Sequence, residues 1–213
     1  MPRISRPSSM TDDLVDAAEA LFATRSIDAT SLREIGLKAG SANKNVVRYH
    51  FGDREGLIRA IFTRRLAGLE RARGDLLKDF TASGREPTDT ELLTIIFRPI
   101  AELKSPQGKR IYAGFLRNNL SYRRPPYESW AVASEIAPLT DYVMSLLRAR
   151  YQDLPDDLFV QRMHSITVVF LDIVVALDDG AGIFTEQEGF AEAMSLAIAI
   201  LRAPAPAQEH PER

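Results

Sequence analysis

The apolar residues of the amino-terminal third recur every three to four positions, the period of amphipathic helices. The first such segment covers residues 11–24, where Thr11 can cap a helix and Asp12 and Asp13 favour its first turn. Its apolar stripe consists of Leu14, Ala18, Leu21 and Phe22. The pattern therefore predicts a helix that buries one face.

Two shorter helices are predicted next. Ser31 and Glu34 have capping-box spacing and begin a segment of about two turns that Gly40 ends. Residues 40–42 make a tight connection, and Asn43 can cap a third helix over residues 44–49. Two short helices joined by a glycine-containing turn predict a helix-turn-helix, whose second helix enters the major groove. The side chains suited to reading bases there are Lys44, Asn45 and Arg48.

This pattern has a second interpretation, because helix-turn-helix pairs are also plain packing units. In that case Tyr49 and Phe51 are simply core aromatics.

Asp53 is predicted to cap a long amphipathic helix over residues 53–80, which connects the helix-turn-helix to the remainder of the chain. Its apolar stripe consists of Leu57, Ile61, Leu66, Leu69, Leu76 and Phe80.

The remainder reads as helices separated by proline-containing breaks, with no strand pattern. Pro99 and Pro138 fall inside predicted helices and should kink or split them. The fold class is all-α, with a DNA-binding domain at 1–52, a helical domain at 53–202 and a disordered tail at 203–213. The carboxyl-terminal helices are predicted at 91–104, 109–122, 129–151, 155–179 and 187–202.

Composition narrows the class of protein without naming a partner. The 213 residues are 45% hydrophobic and 26% charged, which suits a soluble globular protein, and a net charge of -2 gives no hint of nucleic acid. Locally, however, no acidic residue lies between Glu34 and Asp53. That interval holds Lys38, Lys44, Arg48 and His50, and Arg3 and Arg6 lie on the tail before it. Such a cluster fits DNA, although basic clusters are often only solvated faces.

The chain lacks the residue constellations of common enzymes. It has no cysteine, its three histidines are scattered, and no nucleophile elbow, phosphate loop or cofactor motif is present. The amino terminus lacks the apolar stretch of a secretory signal, and the apolar segment 166–177 is too short to span a bilayer and contains Asp172. We therefore expect a non-enzymatic, cytoplasmic protein without cofactor or metal.

The run TSLREIGLKAGSANKNVVRYHFGDREGL resembles the DNA-binding domain of the TetR (tetracycline-repressor) family. The resemblance implies that Thr30, Ser31 and Arg54 contact phosphate and that Tyr49 and His50 end the recognition helix. Base reading would fall to Asn43, Lys44 and Asn45, beside Arg48. It further implies a regulator of transcription, a repressor released from a palindromic operator by a small effector. The alternatives are a helical protein-interaction module and an all-α enzyme with an incidental basic patch.

Three departures from the family pattern bear on these roles. Ser26 stands where glycine is common, Gly36 replaces an alanine, and the interval from Gly40 to Phe51 is one residue longer. If the extra residue lies in the turn, Asn45 and Arg48 keep their groove-facing positions. If it lies in the helix, the contacting face rotates by about 100°.

The last two predicted helices are apolar nearly all round and must be buried. They could form an intrachain core, but the resemblance implies a four-helix dimer interface with a second copy. An effector pocket would lie among the other carboxyl-terminal helices, although core packing is the alternative role for each candidate. The candidates are Phe97, Arg98, Tyr112, Phe115, Asn119, Trp130 and Phe170.

Overall fold

A computed structural model describes residues 9–82, 84–122, 137–180 and 183–206. Every regular element in these ranges is a helix, so the all-α prediction is confirmed. The elements are α1 (Met10–Thr24), α2 (Leu32–Lys38), α3 (Val46–Phe51), α4 (Arg54–Thr81), α5 (Asp89–Glu102), α6 (Ile111–Tyr122), α7 (Pro138–Arg150), α8 (Asp156–Ala176, continued by a 3-10 turn Leu177–Asp179) and α9 (Glu186–Arg202).

Side-chain caps decide where several helices start. α1 begins before the expected position because Ser9, and not Thr11, is its cap: the Asp12 amide donates to Ser9 Oγ at 3.2 Å, and the Asp12 carboxylate accepts from the Ser9 amide. The Ser9 hydroxyl also donates to this carboxylate, which lowers the pKa of Asp12. Capping boxes of the same kind start α5 and α9, so these boundaries are encoded locally.

The two helix-interior prolines of the sequence behave differently. Pro99 lies inside α5, as predicted. Pro138 does not lie inside a helix, because it is the first residue of α7, where its missing N–H is not needed. The prediction of a helix over 129–151 is therefore wrong at this proline, and its residues 129–136 lie outside the described part of the chain.

The core is shared by both halves of the chain. α1 lies along α6, α4 packs on α5 and α7, and α8 packs along α9. Aromatic rings join these layers: the ring centroids of Phe97 in α5 and Phe170 in α8 are 4.6 Å apart, and Phe22 of α1 stacks on Phe115 of α6 at 6.3 Å. The predicted DNA-binding and helical domains, whose boundary at 52/53 stays a prediction, thus share one apolar core.

A buried carboxylate connects α1 to α4. Glu19 is only 1% exposed and accepts from Arg64 Nη2 at 2.7 Å and from Arg65 Nε and Nη2 at 2.8 and 2.6 Å. Arg64 also pairs at 2.8 Å with Asp16, which is exposed. One buried carboxylate therefore binds two arginines of the long helix, with Asp16 supplying a second negative charge, and it orients α1 on α4.

We predict that Glu19→Gln lowers the free energy of unfolding by about 2 kcal/mol, because it leaves the partly buried Arg65 guanidinium without its counter-charge and Arg64 with only the exposed Asp16. Urea denaturation at a fixed protein concentration measures this loss. The control is Asp16→Asn, which removes an exposed partner of Arg64 and should cost less than about 0.5 kcal/mol. Equal losses for the two variants would contradict the special role of the buried carboxylate.

Candidate nucleic-acid interface

α3 has one buried face and one exposed face. Val46 and Val47 are buried against α2 and α4. The exposed residues of α3 are Arg48, Tyr49 and His50, and Lys44 and Asn45 are exposed directly before the helix. Tyr49 is 83% exposed, so the prediction that it reaches the surface at the end of this helix agrees with the structure, and the core-aromatic alternative is wrong for it.

The link between α2 and α3 is longer than the sequence suggested. Residues 39–45 separate the two helices, and Gly40 takes a positive φ of 79° there. Asn43 does not cap α3: its Oδ1 accepts from the Asn45 amide at 2.9 Å, and Asn45 itself precedes the helix. Lys44 and Asn45 therefore lie in the link and not on α3. Arg48 keeps its exposed position on the helix.

The phosphate contact expected of Thr30 is wrong. Thr30 is fully buried, its hydroxyl donates to the Ser26 carbonyl at 3.1 Å, and its amide donates to the Ile27 carbonyl. Ser31 is exposed and caps α2 by accepting from the Glu34 amide at 3.1 Å. No described residue other than glycine has a positive φ, so Ser26 can replace the usual glycine without strain.

Arg54 is engaged inside the protein. Its Nη2 donates to the Thr30 carbonyl at 2.9 Å, Nη1 lies 3.8 Å from Asp28, and the side chain is only partly exposed. It therefore connects the start of α4 to the segment that leads into α2. Asp53 caps α4 as predicted, since its carboxylate accepts from the Gly56 amide at 2.9 Å.

The exposed face combines cations, amides, a phenol and an imidazole. Tyr49 and His50 contact each other edge to face at 5.0 Å between ring centroids, and His50 Nδ1 lies 3.4 Å from the Thr11 hydroxyl. No acidic residue lies in the sequence between Glu34 and Asp53. Phosphate oxygens and base edges present the acceptors and donors that these groups match.

Comparison with protein families agrees with this geometry. Residues 14–61 match the family model described as bacterial regulatory proteins, tetR family. Residues 14–61 are thus similar to members of the TetR family. The resemblance in the sequence is thus confirmed over these residues, and it supports DNA-binding regulation of transcription as the function. No curated protein matched the chain as a relative.

One departure from the TetR-family pattern has a structural reason. Gly36 replaces an alanine in α2, and a Cβ on Gly36 would lie 3.0 Å from Cγ1 of Val46 in α3. The Val46 side chain thus occupies the space that a methyl on residue 36 would need, and these two residues limit how closely α2 and α3 approach.

The candidate effector residues fall into three groups. Phe97, Tyr112, Phe115, Asn119 and Phe170 are buried, and burial raises the pKa of the Tyr112 phenol. Among the described residues Asn119 Oδ1 is buried without a hydrogen-bond partner.

The other two candidates do not join this buried group. Arg98 is exposed on α5, 3.8 Å from Glu102 and above the Phe190 ring at 5.5 Å. Its place is the surface of the helical domain. Trp130 lies outside the described residues.

Sequence reasoning missed a polar cluster in the same domain. Glu70 of α4 accepts from the Leu139 amide at 2.7 Å and from the Thr140 hydroxyl at 2.8 Å, at the amino end of α7. Buried Arg73 donates to Glu70 at 2.9 Å and to the Ile96 carbonyl of α5 at 3.2 Å. The only signal in the sequence is the three-residue spacing of an acid and a base on α4, which is usually a surface pair.

We predict that Gly36→Ala and Val46→Ala are non-additive. The new methyl of Gly36→Ala gains about 1 kcal/mol of helix propensity but costs about 1–3 kcal/mol in crowding, so the variant is less stable. In the Val46→Ala background the crowding is absent, and Gly36→Ala should stabilise. Denaturant unfolding of the two single variants and the double variant measures this, with an expected coupling equal to the crowding cost of about 1–3 kcal/mol. Additive changes would show that the two side chains do not compete for one space.

Proposed function

We propose that this chain is a homodimeric repressor that binds a palindromic operator through α3 and leaves it when a small effector binds the helical domain. The observation that carries the proposal is the division of α3 into a buried valine face and an exposed face bearing Arg48, Tyr49 and His50. A helix held on one side and polar on the other can enter a major groove without unfolding.

The individual contacts are assigned by chemistry and exposure. Arg48 is the strongest candidate for a hydrogen-bond contact with a base edge. It lies on the helix, and its guanidinium group can donate two hydrogen bonds to guanine. Asn43, Lys44 and Asn45 reach the duplex from the turn. Ser31, Tyr49, His50 and Arg54 contact phosphates, for which Arg54 must keep or exchange its bond to the Thr30 carbonyl.

The proposed dimer interface consists of the outer faces of α8 and α9. Four exposed, uncharged residues follow one another along α9, namely Ala191, Ser195, Leu196 and Ala199. Val168 and Val175 are only half-buried on α8. Small and apolar exposed positions on two neighbouring helices suit a four-helix contact with a second copy. The same contact would place two recognition helices on one side of the dimer.

The effector would bind against α6, where the unpartnered Asn119 carbonyl calls for a hydrogen-bond donor. Tyr112, Phe97, Phe115 and Phe170 supply apolar and aromatic surroundings. If the effector binds the operator-binding and operator-released conformations with unequal affinity, it changes the tilt of α4 and hence the distance between the two recognition helices of the dimer.

The site of action is the cytoplasm, where the operator is. Among the described residues one helical stretch, Asp156–Asp179, is long and apolar enough to cross a membrane by length and composition alone. A single such helix is weak support for a membrane protein, since core helices of soluble proteins pass the same test. Here it packs along α9 and on α6.

We predict that Arg48→Ala weakens binding to an operator selected from random DNA by about 1–3 kcal/mol and leaves binding to an unrelated duplex nearly unchanged. Fluorescence anisotropy over a salt series measures both affinities, and wild-type affinity should fall steeply as salt rises. The matched control is Arg71→Ala on α4, roughly 25 Å along the helix from Arg54, which removes the same charge without an effect.

Two outcomes would contradict the proposed role of α3 in DNA binding. A wild-type protein that shifts no duplex at low salt contradicts DNA binding and favours a helical protein-interaction module. Equal losses for Arg48→Ala and Arg71→Ala would mean that general charge, and not the α3 surface, determines affinity.

A further inference from the structure

The contact between α1 and α6 joins the DNA-binding domain to the helical domain without passing through α4. The helices approach closely at Gly114, where an added Cβ would lie 3.0 Å from the Ala23 carbonyl oxygen and 3.2 Å from the Ala23 Cβ. One turn further along α6, Asn118 Nδ2 donates to the Phe22 carbonyl at 2.7 Å and to the Arg25 carbonyl at 3.2 Å. The backbones of α1 and α6 therefore lie in close contact, and we call this contact the α1–α6 seam.

Asn118 supplies what the end of α1 lacks. The last carbonyls of a helix have no partner within it, and the last turn of α1 has no basic residue to compensate. The amide of Asn118 fills that place from another helix. Because it also binds the Arg25 carbonyl, it holds the first residue of the segment that leads to α2.

From Arg25 the connection continues into the helix-turn-helix. The Arg25 guanidinium donates to Glu34 of α2 at 2.6 Å, and the buried Thr30 is held by Ser26 and Arg54. On its other side α6 packs on α8, where Arg117 lies 3.9 Å from Asp172. α6 is thus packed on α8 of the helical domain and also bound to α1 of the DNA-binding domain.

We propose that Asn118 is a positioning residue for operator binding: through the carbonyl end of α1 it sets the direction in which the helical domain presents the helix-turn-helix to the duplex. Gly114 serves the same end by allowing the close approach. The inference rests on the proposed twofold operator binding. It differs from that proposal in assigning the placement of each DNA-binding domain to α6 and α1 as well as to the tilt of α4.

A comparison of the full operator with an isolated half-site separates placement from local structure. When both DNA-binding domains of a dimer are correctly placed, binding of the second half-site increases the affinity for the full operator. Misplacement of the domains removes this increase in affinity but leaves the structure of each domain unchanged. Asn118→Ala should therefore lose about tenfold in affinity for the full operator and less than twofold for the half-site. Asn118→Asp, which has the same shape but no donor, should lose at least as much.

The measurements use the full-length protein in fluorescence anisotropy at low temperature, after circular dichroism has shown wild-type helix content. Gly114→Ala is the second variant, because it separates α1 from α6 without removing a polar group, and it should show the same selective loss. Ser121→Ala is the matched control, since the exposed Ser121 hydroxyl donates only to Arg117 of its own helix. It should bind both duplexes as wild type does.

Each other outcome overturns the inference in a recognisable way. Unchanged affinities in folded Asn118 and Gly114 variants would show that the seam contributes only stability. Equal losses on the full operator and the half-site would show that the seam shapes the DNA-binding domain itself and does not place it. A wild-type protein that gains nothing from the second half-site would instead refute the twofold operator, and the inference would fall with it.

Discussion

The exposed face of α3 depends on the burial of Val46 and Val47. A helix of six residues is far too short to persist in water by itself, so α3 exists because its valine side packs on α2 and α4. Gly36 lets α2 come close enough to complete this contact. The exposed polar residues take no part in this apolar contact, so their side chains can be suited to a duplex without loss of the valine packing.

Buried charge connects this small unit to the body. Glu19 joins α1 to two arginines of α4, while Glu70 joins α4 to the amino end of α7. In both cases a carboxylate bonds groups from a different helix, and an arginine balances its charge. Such bonds are directional, unlike apolar contacts, so they fix the rotation of the helices about their axes as well as their separation. The long helix α4 is therefore held in a defined orientation at both of its halves.

Local signals were predictable from the sequence, and long-range partners were not. Asp53 and Gly40 act within a few residues of themselves, and both were recognised correctly. Thr30 was not, because whether a hydroxyl faces a phosphate or its own chain depends on a turn whose shape is set by Ser26 and Arg54. The roles of Asn118 and Glu70 depend on contacts with distant parts of the chain, 93 and 69 residues away, and no spacing in the sequence reports such pairs. Pro138 was misplaced for a related reason, since a proline can start a helix as well as interrupt one.

The elbow between α3 and α4 restricts how the protein can move. A Cβ at Gly56 would lie 2.0 Å from the Phe51 carbonyl oxygen, so the end of α3 rests directly on the backbone of the first turn of α4. With Gly52 at a positive φ between them, the two helices meet in a compact corner without a flexible spacer. α3 consequently has little freedom to move independently of α4. The two helices turn together as one bent unit, so a small rotation of α4 far from this corner moves α3 as well.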